Sequence, residues 1–522
     1  MGALVVPPAE PQGRHPLRRR LARNVFFSGG ANVWAVIVSL VSLPLMLRGL
    51  GATGFGLWVL VETFSADHGW LSIADLGVRV ATSAEVARHR SLGDSTGASR
   101  VTSSSLALLA GSGAVCGALV AGLGPLWLPS LFGASPSLHG QMTVAILALG
   151  ARVPFEMLSE GTFASLEGLQ RIDLARTANA AQRTMVIAAA AAAALLTSNL
   201  GVVGEASLAT TILGLLVALA LLIRQQRLGP PSWAAVRTVF GFGWVVGGSR
   251  IFSVVHHNMD RVIVGVILGP ALVSLVEIAT QVQNGVEAML GAAEAPVVPA
   301  AAWLAARSSV AHLRELLFRG TKYAILVSMP LIVGAALLAH PLVSTWVGSR
   351  YSAAENLIPL AMVFLLMMAP VRIGSLMLTA VGRARDVLRP FAFATVINLT
   401  ASVLLVIVMG VAGTFIGTLI GTAILVVPLA RMASQQVGST YRDLIRLSIL
   451  PAVLPAALLA AVLLLLPVLG LEGRALLVTG AVGGGGLYCA TAALVSLSPA
   501  ERRDLWSMVR RLPAPAAPGP VG

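Results

Sequence analysis

Residues 202–231, VVGEASLATTILGLLVALALLIRQQRLGPP, decide how the chain is read. From Val202 to Ile223 the run is apolar and long enough to cross a bilayer, which takes roughly 20 helical residues. It stops at Arg224 and Arg227, and the pair Pro230-Pro231 forbids further helix. About fourteen such runs recur, over 25–47, 54–75, 101–125, 139–164, 175–197, 202–223, 236–268, 271–300, 321–347, 355–381, 388–409, 412–431, 445–466 and 474–496. Basic residues punctuate them unevenly. Every second gap is short and nearly uncharged, and these gaps hold Arg48, Arg350 and Arg474. The alternate gaps and the tails hold most other arginines and the only lysine, Lys322. Arginine and lysine stay on the cytoplasmic side of short loops, so the pattern predicts a multi-pass inner-membrane protein with both ends inside.

Composition agrees. The mean hydropathy is +0.85, and charged residues make up 11% of the 522, against about 25% in soluble domains. A net charge of +14 would suggest nucleic acid in a soluble protein; here cytoplasmic arginines facing anionic lipid headgroups account for it, and no nucleic-acid partner is expected. Cys116 and Cys489 lie in apolar runs far apart and read as packed thiols, not as a disulfide or metal pair.

The runs arrange themselves into a basic cytoplasmic tail (1–23), a six-helix lobe (24–223), a linker (224–235), a second six-helix lobe (236–431), two further spans (432–498) and a cytoplasmic tail (499–522). The expected fold is all-α and integral to the membrane, with about fourteen helices in two lobes around a central cleft, a plan in which substrate binds between repeats. No repeat is visible residue by residue. Gly113, Gly117 and Ala121, and likewise Gly413, Gly417 and Gly421, recur at the four-residue spacing that lets helices pack closely.

Ionisable groups at membrane depth are costly and mark candidate sites. Arg152, Glu156 and Glu160 share one face of the fourth run, as an internal ion ladder or as a cavity lining whose carboxylates bind a proton or cation. In the seventh, Arg250, His257 and Arg261 form a cationic stripe that reads as the lining of a water-filled cleft receiving an anion. Asp260, on a neighbouring face beside His256, offers the alternative of neutralising Arg261. Arg372 is a further intramembrane cation, and Arg79 either faces a cavity or anchors the cytoplasmic edge. Glu62, Asp67 and His68 are unusual in a second span, where His68 reads as hydrogen-bonded to a neighbour rather than as a proton shuttle. Asp67 and Asp260 join Glu156 and Glu160 as candidates for ion coupling. Two milder polar lines, Asn24, Ser28 and Asn32, and Glu277, Gln281 and Asn284, suit sugar hydroxyls or interhelical hydrogen bonds equally.

No Walker loop surrounds Lys322, so ATP is not the energy source; a proton or sodium gradient, the membrane potential or the substrate gradient is expected, with no bound cofactor or metal. Acid–base motifs are missing and the extracytoplasmic gaps are short, which argues against a membrane enzyme of glycan assembly. A multidrug or organic-cation antiporter needs a cleft of carboxylates and aromatics, yet aromatic residues are 5%. A non-transporting scaffold leaves the buried charges unexplained.

The segments Asn24-Val25, Pro44-Leu45-Met46-Leu47-Arg48-Gly49-Leu50-Gly51, Gly54-Phe55-Gly56-Leu57-Trp58 and Ala74-Asp75-Leu76-Gly77 together resemble the N-terminal signature of the polysaccharide flippases of the multidrug/oligosaccharidyl-lipid/polysaccharide exporter superfamily. Asn258-Met259-Asp260-Arg261-Val262-Ile263-Val264-Gly265, Trp346-Val347-Gly348-Ser349-Arg350-Tyr351, Leu378-Thr379-Ala380-Val381-Gly382-Arg383-Ala384 and Gly410-Val411-Ala412-Gly413 are similar to later segments of that family. The resemblance covers 24–90 and 240–430. It implies a flippase that moves undecaprenyl-diphosphate-linked oligosaccharide across the inner membrane by alternating access, beside a polysaccharide polymerase and assembly proteins. It also implies basic residues that meet the diphosphate, for which Arg152, Arg250, Arg261, Arg372 and Arg79 stand at suitable depth. One departure is that the aromatic residue common early in the family's eighth helix is replaced near Val276 and Glu277.

Overall fold

The second predicted span is the one the structure breaks. In this computed structural model, which describes residues 14–294, 297–306 and 309–503, helix α1 (Arg14–Glu62) bends at Gly51, whose φ is 69°, and ends at Glu62. Residues 63–69 are not helical. They lead into a short 3₁₀ helix, Trp70–Asp75, and then through Leu76 (φ 48°) and Gly77 (φ 75°) into α2 (Val78–Ser91). The break has local causes. The Trp70 N–H donates to the Thr63 carbonyl at 2.7 Å, and Gly69 lies so close to the backbone of Thr63 and Ser65 that a Cβ would meet it at 2.3 Å. The predicted continuous span over 54–75 is thus corrected to a short helix end, a polar loop and a short 3₁₀ helix. The loop carries Asp67 and His68 directly after Glu62. Of Asn24, Ser28, Asn32, Arg250 and His256 only the backbone is described, and the readings of the tails fall in part on 1–13 and 504–522, outside the described residues.

The chain continues as α3 (Ser95–Leu131), α4 (Pro136–Gly168), α5 (Ile172–Thr197), α6 (Leu200–Gln225), α7 (Trp233–Ile267) and α8 (Pro270–Glu294). There follow α9 (Val297–Ala306), α10 (Val310–Leu337), α11 (Ala339–Trp346), α12 (Leu357–Ala380), α13 (Ala384–Met409), α14 (Val411–Gln436), α15 (Tyr441–Leu444), α16 (Leu450–Val468), α17 (Gly473–Thr479) and α18 (Gly485–Thr491). Among the described residues there is no strand, and eleven helices are long and apolar enough to cross a membrane. The predicted seventh and eighth spans are α7 and α8, at 35 and 25 residues. The fold is an all-α multi-pass membrane protein.

By its internal packing the chain divides between Glu277 and Ile278, inside α8. In the first unit, Val86, Leu109, Val153, Met157, Leu166 and Leu222 bury against one another from α2, α3, α4 and α6. The small-residue spacing acts as predicted: a Cβ on Gly117 of α3 would meet the Gly150 carbonyl of α4 at 2.3 Å, so only glycine permits that crossing.

In the second unit, Leu317, Ile373, Met377 and Leu429 form the main core, and Gly413 and Gly417 bring α14 onto the backbone of α13 at Leu405 and Ser402. The last helices pack on α10 through Ile325, Met329, Leu459, Leu463 and Tyr488. Between α17 and α18 lies a π turn, Gly480–Gly484, in which Gly480 and Gly484 close on Leu463.

One polar clasp secures that last segment. Lys322 Nζ sits 2.9 Å from Glu501 Oε2, the Tyr323 hydroxyl donates to Oε1 at 2.9 Å, and the Ser498 N–H donates to Oε2 at 2.7 Å. Burial alone would raise the Glu501 pKa, but these donors outweigh it and hold it at about 2. A depressed carboxylate contributes stability above its ordinary range and loses it as pH falls through the folded value. The clasp is therefore expected to hold above about pH 4.5 and to open towards about pH 2. Hydrogen exchange of residues 485–503 measured across that window should rise, and Glu501→Gln should already show the faster exchange at neutral pH.

Each unit also carries the same polar clamp, a residue-level repeat that spacing alone conceals. Helices α4 and α12 both end with a positive-φ residue, Gln170 (62°) and Gly382 (85°). In both, the next arginine N–H donates five residues back, Arg171 to Leu166 and Arg383 to Leu378, each at 2.9 Å. This is the Schellman arrangement of helix ends. Arg171 then reaches Asp173 and Gln225, while Arg383 reaches Asp386 and Gln436. The two clamps tie the start of α5 to the end of α6, and the start of α13 to the end of α14.

Candidate functional site

The break after Glu62 gathers three arginines and five acids of the first unit. Arg152 of α4 is the centre, with its side chain only 3% exposed. Its Nη2 donates to both carboxylate oxygens of Glu62 at 2.8 Å, and its Nε lies 2.8 Å from Glu156 Oε1 as an ion pair. The other Glu156 oxygen accepts the N–H of Ala66 at 2.8 Å, so α4 holds the broken segment by its backbone. One turn further along, Glu160 pairs with Arg79 of α2 and accepts from Asn179 of α5. Asp75 accepts the Arg79 N–H at 2.9 Å, satisfying a donor in the first turn of α2.

The third guanidinium is Arg183, on α5. Its Nη2 stands 2.7 Å from His68 Nε2, and its Nε 3.5 Å from Asp67 Oδ2. His68 Nδ1 in turn lies 2.7 Å from the same Asp67 oxygen. Arg183 was missed by sequence reasoning, although it sits eight residues into a predicted span, and intramembrane arginines are what that reasoning sought. The sequence places it far from Asp67; only the loop at 63–69 brings them together.

Within this cluster Arg79, Arg152 and Arg183 face Glu62, Asp67, Asp75, Glu156 and Glu160. Carboxylates outnumber guanidinium groups. Arg152 is enclosed between two of them, whereas Arg79 and Arg183 keep 32% and 36% of their side chains exposed. The cluster is thus an ion-paired lining with two accessible cations. Among the described residues no group of three or more His, Cys, Asp or Glu side chains is arranged to hold a metal ion.

The α7 residues extend it. Asn258 Nδ2 donates to the His68 carbonyl at 3.2 Å. Arg261 Nε donates to Glu277 of α8 at 2.7 Å, and its Nη1 donates to the His257 carbonyl at 3.0 Å. Glu277, read from the sequence as a sugar or interhelical contact, thus pairs with Arg261. The exposed His257 and the half-buried Asp260 lie on the same helix, and the side chain of Arg250 lies outside the described residues. Arg372 belongs to the second unit, where Glu294 holds it through both oxygens at 2.7 and 3.0 Å and Glu287 lies 3.9 Å away.

Residues 145–356, which include Arg152, Arg183 and Arg261, match the family described as Polysaccharide biosynthesis protein. The lipid II flippase MurJ, in an inward closed conformation, superimposes with a TM-score of 0.71 at 14% identity, over 92% of this chain and 100% of that one. The chain has the fold of that flippase. A multidrug resistance MATE transporter of the MOP superfamily, inward-facing, matches with a TM-score of 0.59 at 17% identity over 81% and 96% of the two chains. A MOP-superfamily transporter from Pyrococcus furiosus, described as having a binding pocket of reverse polarity, matches at 0.53 with 17% identity over the same shares. No curated protein sequence matches. These neighbours are transporters and flippases rather than enzymes, and the likeness to polysaccharide flippases read from the sequence segments is shown.

Proposed function

We propose that the protein is a flippase for lipid-linked oligosaccharide, moving an undecaprenyl-diphosphate-linked glycan across the inner membrane with both chain ends cytoplasmic. The observation that carries this reading is the pair of accessible guanidinium groups, Arg79 and Arg183, each held by a carboxylate inside a membrane-spanning unit. A diphosphate headgroup cannot cross hydrocarbon unaided, because burying unpaired charge is prohibitive. Bare arginines would be equally costly in the empty protein. Carboxylate partners solve both problems: they neutralise the guanidinium groups at rest and give way to the diphosphate, which offers the same bidentate oxygen geometry. The displaced carboxylates then take up protons or a cation, which would couple transport to an ion gradient. Glu156, Glu160 and Asp67 are the candidates for that role. Arg261, on its own carboxylate, is a candidate for a further contact, and Arg152 organises the site from within.

The carboxylate excess is the one observation that favours a second reading, an organic-cation antiporter. The two separate on Arg183→Ala and Arg79→Ala. In proteoliposomes carrying a fluorescent undecaprenyl-diphosphate oligosaccharide, each variant is expected to lose about tenfold to a hundredfold in flipping, as expected for truncating a charge that binds its ligand directly. Arg319→Ala, which removes an exposed pair with Glu315 on α10, should leave the rate unchanged. Undiminished flipping by the first two, or proton-driven efflux of organic cations with no flipping, would replace the proposal with the antiporter.

A further inference from the structure

The triad of Asp67, His68 and Arg183 carries its own hydrogen-bond logic, and we infer that His68 is a proton-binding group whose protonation releases Arg183 to an anionic diphosphate, so that one proton and one substrate bind together. This rests on the flippase reading and assigns a proton-binding group that sets substrate affinity at the same site.

A guanidinium only donates hydrogen bonds. Arg183 Nη2 rests against the imidazole, 2.7 Å from His68 Nε2 and 3.2 Å from Nδ1, and because a carboxylate occupies Nδ1, Nε2 is the acceptor. The ring proton of a neutral imidazole is then on Nδ1, which faces Asp67 Oδ2 at 2.7 Å and donates to it. In this state Asp67 balances Arg183, and the triad is neutral.

A proton arriving at Nε2 sets two donors face to face. The guanidinium must leave the ring, while the new imidazolium satisfies Asp67 at the short distance already in place. Asp67 is only 3.5 Å from Arg183 Nε, but its charge is now matched by His68. Arg183 is left with a full positive charge at membrane depth, which is costly until an anion arrives. The proton and the anion thus stabilise each other's binding, and the coupling is reciprocal by linkage. The proton has access: His68 keeps 63% of its side chain exposed.

Other charged groups surround the triad, and those paired above have donors of their own. Glu62 is on Arg152, Glu156 on Arg152 and the Ala66 N–H, Glu160 on Arg79, and Asp75 on the Arg79 N–H. From α7, Asn258 binds the His68 backbone and Arg261 is on Glu277, with His257 and Asp260 on the same helix. None of those pairings uses His68 Nε2.

The test uses the whole protein in nanodiscs and a synthetic undecaprenyl-diphosphate monosaccharide, a diphosphate diester whose own charge does not change near neutrality. Imidazoles change charge between about pH 5 and 8, so Kd is measured from about pH 5.5 to about pH 8. Over the upper part of that range the native protein is expected to bind about tenfold tighter per unit of falling pH, the slope of one linked proton. Calorimetry in two buffers should record the uptake of about one proton per ligand there. His68→Gln should bind with a flat pH profile and take up no proton, and Arg183→Ala should bind weakly at every pH. Native binding without pH dependence or proton uptake, or His68→Gln retaining both, would overturn the His68 role while leaving the flippase reading in place. No native binding at any pH would overturn both. The calorimetric result on the native protein decides the matter even where a variant fails to fold.

Discussion

Arg152→Met is expected to lower the stability of the first unit by about 3–5 kcal/mol, the scale for removing one partner from a buried ion pair. The reason is geometric. Arg152 is 3% exposed and stands between two carboxylates, Glu62 and Glu156, each 2.8 Å away. Methionine keeps much of the side-chain volume but leaves two negative charges facing each other with nothing between them. The loss should appear as a large drop in melting temperature and in the yield of folded protein from membranes. The triple variant Arg152→Met, Glu62→Gln, Glu156→Gln removes all three charges and is expected to recover most of that loss, because neutral groups of similar shape replace the ionic set. If the triple variant is no more stable than Arg152→Met, the damage lies in packing and the electrostatic account fails. The Ala66 N–H, which donates to Glu156 Oε2, keeps an amide oxygen to bind in that variant, so the loop should remain in place.

How much of this site was legible follows from what periodicity encodes. Arg152, Glu156 and Glu160 stand four residues apart on one predicted helix, so their shared face could be read directly, and α4 confirms the helix. Their partners could not be read, because Glu62, Arg79 and Arg183 come from α1, α2 and α5, and helical spacing is silent about which faces meet. The second span misled for a related reason. Hydropathy averaged over a window sees 54–75 as one apolar run, whereas helix continuation depends on local hydrogen bonds, and Gly69 lets the backbone fold onto Thr63 and Ser65. The charges there mark the break, since a continuous lipid-facing helix would not tolerate Glu62, Asp67 and His68 in succession. The duplicated clamp was hidden because its two copies share roles rather than residues: Gln170 and Gly382 both adopt positive φ, and the arginine, acid and glutamine recur at slightly different offsets.

Gly56→Leu is expected to be the most damaging single change in the first unit, and it tests whether the ion-paired lining depends on helix placement. A Cβ built on Gly56 would fall 1.7 Å from the Pro270 carbonyl oxygen and 2.6 Å from its carbon. Those are backbone atoms at the first residue of α8 and cannot swing aside as a side chain would. Even Gly56→Ala must push α8 away from α1, and leucine adds three more carbons into the same contact. Overpacking typically costs about 1–3 kcal/mol where side chains can adjust; with backbone as the obstacle, the alanine variant should reach at least the top of that range and the leucine variant should yield little folded protein. Gly111, on α3, is the control, because a Cβ there would meet nothing within 4 Å: Gly111→Ala should be neutral or gain about 0.5–1 kcal/mol from helix propensity. The consequence reaches the site because Glu277, the partner of Arg261, lies two turns into α8. Displacing the start of that helix shifts Glu277 from the guanidinium it neutralises, so any Gly56→Ala protein that folds should also lose substrate binding. Restored stability without restored binding, obtained by shortening the contact at Leu60 and Gly265 or by a stabilising lipid, would show that register and not mere folding is what the glycine secures.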